Sequence, residues 1–172
     1  TYSKATGGAA VTVPLSGTVN VEIPPPPGTS YLSDLDWNSA TNGWGPVEKD
    51  TSNGEAAAGD GNPITIGGTV FTKGLGAHAP STITYYLGGG CSALTATVGV
   101  DDEKAGKGSV EFEVAADGTQ VADSGVVRNS DGPTPLHADV TGAQYVQLIV
   151  TDGGDGNDSD HADWADAQIT CA

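Results

Sequence analysis

Short apolar–polar alternations organise this chain, and no stretch of ten or more residues keeps a capped helical period. Residues 109–115 set Val110, Phe112 and Val114 against Glu111 and Glu113, the two-residue period of a strand with one buried face. Similar runs predict strands over 31–35, 63–66, 69–72, 81–87, 92–100, 109–115, 119–127, 135–140, 144–151 and 165–171. Turn residues separate them at the spacing of an all-β, antiparallel β-sandwich. Ahead of them, Val11, Val13, Leu15, Val19, Val21 and Ile23 alternate across Ser16-Gly17 and predict a β-hairpin within residues 1–23. A lone hairpin is marginal in water, so it reads as the end of an upstream domain or as an addition to the sandwich. Pro24–Pro27 then predict a stiff spacer, softened by Gly28–Ser30, which leaves 24–30 as linker and 31–172 as the module.

Antiparallel strands sort the connections by length. From residue 81 onward the short turns 88–90, 117–118 and 141–143 alternate with the long loops 101–108, 128–134 and 152–164. Every long loop should fall at one end of the sandwich, together with the entering segment 73–80. That parity gathers His78, Asp101, Asp102, Glu103, Arg128, Asn129, His161 and Trp164 on one rim.

The richest of these loops, DGGDGNDSDHADWADA over 152–167, combines aspartates with His161 and Trp164. Carboxylates and imidazoles bond hydroxyls, and a flat ring stacks on C–H faces, so the mixture suits a sugar. It also suits a calcium ion, or a plain solvated charge run. Its start resembles a calcium-binding EF-hand loop but lacks the sixth-position glycine and the twelfth-position glutamate, which excludes that motif.

Charge narrows the partners. The 172 residues carry 22 acids against six bases, a net charge of -16, which repels nucleic acid and anionic membrane surfaces. Neutral carbohydrate or a cation remains compatible. Glycine and proline abundance (26 and 10 residues) fits many tight turns and few helices. Cys91 and Cys171 are either two buried thiols or a bridge; a bridge would close a loop of about 80 residues and contribute roughly 4 kcal/mol. No run is long enough to span a bilayer and no signal peptide opens the chain. The expectation is a mature fragment of a secreted, extracellular protein, where the bridge is favoured.

Five blocks, YLSDLDWNSATNGWGPVEKD, KGLGAHAPSTITYYL, TVGVDDE, GSVEFEVAADG and DHADWADAQI, resemble the NPCBM family, also called family-51 carbohydrate-binding modules, in order and spacing. The resemblance covers 31–172 and implies a jelly-roll sandwich of galactose-binding-domain type. It implies a non-catalytic module that directs an attached glycoside hydrolase, such as an actinobacterial α-galactosidase, to galactose-containing glycans. The catalytic domain of the same polypeptide would then be its partner. The other reading is a structural or protein-interaction module with no sugar binding of its own.

Each residue has two readings. His78, between small residues, either bonds vicinal hydroxyls or fixes its loop. Glu103 is either a sugar ligand or solvated surface, and Arg128, the only arginine, contacts sugar or pairs with an acid. His161 joins the sugar set. Alternation along the last strand places Trp164 opposite Ala165, Ala167 and Ile169, favouring an exposed stacking ring over a core one. Trp37 reads as core and Trp44 as a rim wall. Asp34, Asp36 and Asn38 recur at alternate positions after the first strand, and Asp166 opens the last. In sandwiches of this type those strands are neighbours, so Asp34, Asp36 and Asp166 are the expected ligands of a structural calcium. No G-x-S-x-G, phosphate loop or redox motif supports an enzyme.

Overall fold

The computed structural model describes residues 22–172 apart from 55, 105, 155 and 157. All but the last two residues of the expected hairpin (1–23) therefore lie outside the described residues. Thirteen strands follow: β1 (Gly28–Tyr31), β2 (Ser39–Thr41), β3 (Glu48–Lys49), β4 (Ile64–Ile66), β5 (Thr69–Phe71), β6 (Gly74–His78), β7 (Ser81–Tyr86), β8 (Cys91–Val100), β9 (Ser109–Ala116), β10 (Thr119–Arg128), β11 (Thr134–Asp139), β12 (Tyr145–Thr151) and β13 (His161–Cys171). One sheet runs β11-β8-β13-β6-β3, with β1 also on β13; the other runs β10-β9-β12-β7-β2; β4 and β5 form a separate hairpin. Every pairing is antiparallel.

The alternation predicted from sequence fills the space between the sheets. Val110, Phe112 and Val114 of β9, Val146, Leu148 and Val150 of β12, and Leu94, Ala96 and Val98 of β8 share one buried cluster. Cys91 and Cys171, register partners on β8 and β13, are disulfide-bonded. Gly28–Ser30, expected as the flexible end of the linker, instead pairs with the last strand as part of β1. The expected strand at 31–35 is mostly a 3-10 turn, Leu32–Asp34. The proline segment lies against the module: Ile23 and Pro24–Pro26 share a hollow with Tyr85 and Tyr86, and the Tyr145 hydroxyl donates to Glu22 at 2.7 Å.

Strand β6 was not predicted, because GLGAH has no alternation and two glycines. The tertiary structure supplies the reason for both. A Cβ on Gly76 would sit 2.3 Å from the Thr51 carbonyl oxygen, and one on Gly74 2.6 Å from that of Trp164. A Cβ on Gly99 of β8 would meet Ile66 at 2.4 Å. These glycines let the segment between β3 and β6 lie flat across the outer face of the sheet. The β4–β5 hairpin is seated there, burying Ile64 and Ile66 against Ala165.

Candidate functional site at the long-loop rim

His78 ends β6 and His161 begins β13, and the two are register partners. Their rings lie 5.2 Å apart, edge to face. Glu103 enters from the turn that follows β8. Its position is set by Asp101, whose N–H donates to the His161 carbonyl (2.9 Å) and whose Oδ1 accepts the Glu103 N–H (3.0 Å). Glu103 Oε1 bonds His161 Nδ1 at 2.5 Å, and its Oε2 accepts from Ser52 Oγ (2.8 Å) and Asn62 Nδ2 (2.9 Å). Burial raises the Glu103 pKa, but these three hydrogen bonds and the His161 charge outweigh burial and bring it down to about 2.

Hydrogen-bond sense fixes both histidines. An ionised Glu103 only accepts, so His161 Nδ1 carries the proton; the Ala79 carbonyl, 2.8 Å from His78 Nδ1, imposes the same tautomer there.

Trp44 closes the row. Asn42 Oδ1 accepts the His78 N–H (2.8 Å), while Asn42 Nδ2 and Asn53 Nδ2 each hold the Trp44 carbonyl at 2.9 Å. The indole therefore has a fixed backbone under it, stands 6.0 Å from the His78 ring and remains 55% exposed. A hollow of about 210 Å³ is lined by Asn53, Asp60, Asn62, Glu103, Lys104 and His161, and Asn53 ties it to the Trp44 carbonyl.

Antiparallel parity thus brings His78, Glu103 and His161 together as expected, while the other two expected ligands stand elsewhere. Trp164 is 0% exposed, with its ring 5.0 Å from Phe112 in a T-shaped contact. The simple alternation failed because a β-bulge interrupts β13 between Ala165 and Gln168, where Asp166 has φ 48°. A bulge shifts the phase of the strand by one residue. Trp164 consequently shares the core with Ala167 and Ile169, and Ala165 faces the β4–β5 hairpin. Arg128 ends β10 as an exposed residue whose N–H is held by Asp131 (2.8 Å); it does not line the hollow. Glu103 is neither solvated nor a lone ligand, but the junction between His161 and the loop carrying Ser52 and Asn62.

Asp163 lies behind His161. Its carboxyl is fully buried and receives no N–H or O–H among the described residues. Burial first, then the adjacent Asp101 carboxylate, push its pKa well up, so it holds a proton and donates to Asp101.

The expected calcium ligands do not assemble into one set. Asp34 is held by Lys73 Nζ at 2.6 Å, and the same ammonium bonds Asp50 at 2.8 Å. Asp36 pairs with Lys49 at 3.6 Å. Asp166 contributes its N–H to the Lys73 carbonyl at 2.9 Å. The positive charge between the first and last strands is thus a lysine of this chain, and these residues do not fit a calcium shell. Among the described residues, the group of three acids whose oxygens lie within 4.8 Å of one another is Glu111, Glu113 and Asp123, on the other sheet.

The NPCBM/NEW2 domain model matches residues 28–170. The chain is 44% identical over 149 residues to a Renibacterium salmoninarum protein provisionally named endo-alpha-N-acetylgalactosaminidase, covering 86% of this chain and 10% of that one. It is 34% identical over 107 residues to alpha-1,3-galactosidase B of Akkermansia muciniphila, covering 60% and 13%. It therefore spans about a tenth of the length of these curated relatives. The fold resembles the CBM51 of Clostridium perfringens GH95 in complex with methyl-galactose: TM-score 0.74, 38% identity, 83% of this chain and 99% of that one. CBM51-2 of Clostridium perfringens ZmpB, solved with GlcNAc, gives TM-score 0.74 and 36% identity over 84% of this chain and 32% of that one.

Proposed function

The chain belongs to the NPCBM/NEW2 family and is a non-catalytic carbohydrate-binding module, and from that premise we propose that its long-loop rim holds the terminal galactose of a glycan. The observation that carries this reading is the exposed Trp44 ring, 6.0 Å from the His78 ring, which in turn contacts His161 and through it Glu103. A pyranose stacked by its C–H face on the indole would turn its hydroxyls toward the His78 and His161 rings and the Glu103 carboxylate. Asn53, Asn62 and Lys104 add donors around the same hollow. Galactose, rather than another hexose, is chosen because a module 38% identical to this chain was solved with methyl-galactose. The stacking role expected of Trp164 passes to Trp44.

The names of the relatives support a glycoside hydrolase as the catalytic partner on the same polypeptide, acting outside the cell on galactose-containing glycans. One monosaccharide offers little contact area, so affinity should fall between about ten micromolar and about one millimolar. Attachment to the enzyme then supplies avidity.

Calorimetry with methyl galactoside tests the site. Trp44→Ala should weaken binding by about 1–3 kcal/mol, the range for stacking contacts, without lowering the melting temperature. Unchanged affinity in that variant would remove the stacking reading. Absence of binding to any sugar on a glycan array would return the module to a structural role.

A further inference from the structure

The hollow beside His161 has a neighbour that shares Glu103 with it. Across the hydrogen bond from Asn62 to Glu103 lies a second, shallower hollow of about 450 Å³, bounded by Pro63, Thr65, Val70, Asp101 and Asp102. The two hollows share Asn62 and Glu103 among their lining residues, which puts the second within reach of a ligand longer than one ring seated in the first. The β4–β5 hairpin builds this floor. Ile64 and Ile66 turn inward onto Ala165 with Phe71 packed beside them, so the cross-strand pair Thr65–Val70 faces outward. Val70 is 61% exposed and Pro63 is exposed beside it, a carbon surface where a water-facing hairpin is better served by polar side chains. The shelf is also held in place: Asp102 accepts the Gly67 and Gly68 N–H groups at 2.9 and 2.7 Å and the Asn129 amide at 2.8 Å.

We propose that this shelf is a second subsite, resting on the reading of the first hollow as a galactose seat, and that it takes the acetamido group of an N-acetylhexosamine linked to that galactose. The methyl group finds the carbons of Val70 and Pro63. The amide N–H is a donor, and the Thr65 hydroxyl and the Asp102 carboxylate are the oxygen acceptors at the edge of the shelf. A hydroxyl at the same sugar carbon has no methyl to bury. A carboxylated or sulfated sugar meets that carboxylate and the net charge of -16. Burying one methyl corresponds to about fourfold in affinity.

Pairs of sugars that differ only in this group provide the test by calorimetry: lactose against N-acetyllactosamine, and α-linked digalactose against its counterpart ending in N-acetylgalactosamine. In the wild-type chain at least one N-acetylated member should bind about fourfold more tightly than its partner. In Val70→Ser that preference should vanish while methyl galactoside binds as before, which also shows that the variant is folded. Equal affinities within both pairs, or a preference that survives Val70→Ser, would overturn the second subsite and leave the first standing. Failure of the wild-type chain to bind methyl galactoside would overturn the galactose seat, and the second subsite with it.

Discussion

Glu103 and Asp163 both belong to the rim, yet their surroundings push their pKa values in opposite directions. Glu103 is lowered from 4.5 to about 2, since the bonds from His161, Asn62 and Ser52 together outweigh its burial. A depressed acid contributes stability that is present above its unfolded pKa and lost as pH falls through the folded one. Glu103→Gln should therefore flatten the fall in stability between pH 4.5 and about 2, as read from urea midpoints across that window. Asp163 has the reverse sign. Its folded pKa lies well above 3.8 because the carboxyl is buried against Asp101, so its contribution is complete below 3.8 and declines as pH rises. Asp163→Asn keeps a donor for Asp101 with nothing to ionise. That variant should be more stable than wild type at neutral pH, and the gap should shrink toward pH 4; the same gap at both would refute the shared proton. His78, His161 and Glu103 were legible in the sequence because loop parity alone gathers them. Trp164 was misplaced because alternation carries no sign of a bulge.

At the scale of elements, the junction of the first and last strands sets a lysine among the acids expected to hold calcium. Lys73 leads into β6, bonds Asp34 and Asp50, and stacks its ammonium 5.6 Å from the Tyr31 ring. Asp34 and Asp50 in turn raise the Lys73 pKa, keeping the cation charged. With Lys73 as the cation that answers Asp34 and Asp50, the melting temperature should be the same in millimolar calcium and in chelator. Lys73→Met, by contrast, should lower it by leaving Asp34 and Asp50 without their cation. A rise of several degrees on adding calcium to the wild-type chain would show that the lysine is displaced. Sequence spacing grouped Asp34 with Asp36 and Asp166 but did not show that Lys73 stands beside Asp34 and brings Asp50 to it. That depended on where β6 places Lys73, and β6 itself was hidden by its glycines.

For the whole molecule, the long-loop rim and the disulfide sit at opposite ends of the same two strands. Cys91 opens β8 and Cys171 closes β13, whereas Glu103 follows β8 and His161 begins β13, about 30 Å away at 3.3 Å per residue. Reducing the Cys91–Cys171 bond should lower stability by roughly 4 kcal/mol and leave the affinity for methyl galactoside unchanged. Loss of affinity at a temperature where the reduced chain is still folded would mean that the two ends are coupled. The sequence by itself determined the all-β sandwich, most strand positions and the gathering of His78, Glu103 and His161. Each of these follows from local period, turn length and direction, which a linear chain carries. That Cys91 and Cys171 are bridged rather than two thiols came from the structure. Only the tertiary structure decided that Trp44 rather than Trp164 is exposed, that Gly28–Ser30 is a strand, that Lys73 answers Asp34, and that the 50–72 segment walls the site. Those depend on a bulge, on backbone resting against glycine, and on contacts between residues far apart in sequence, none of which has a period to read.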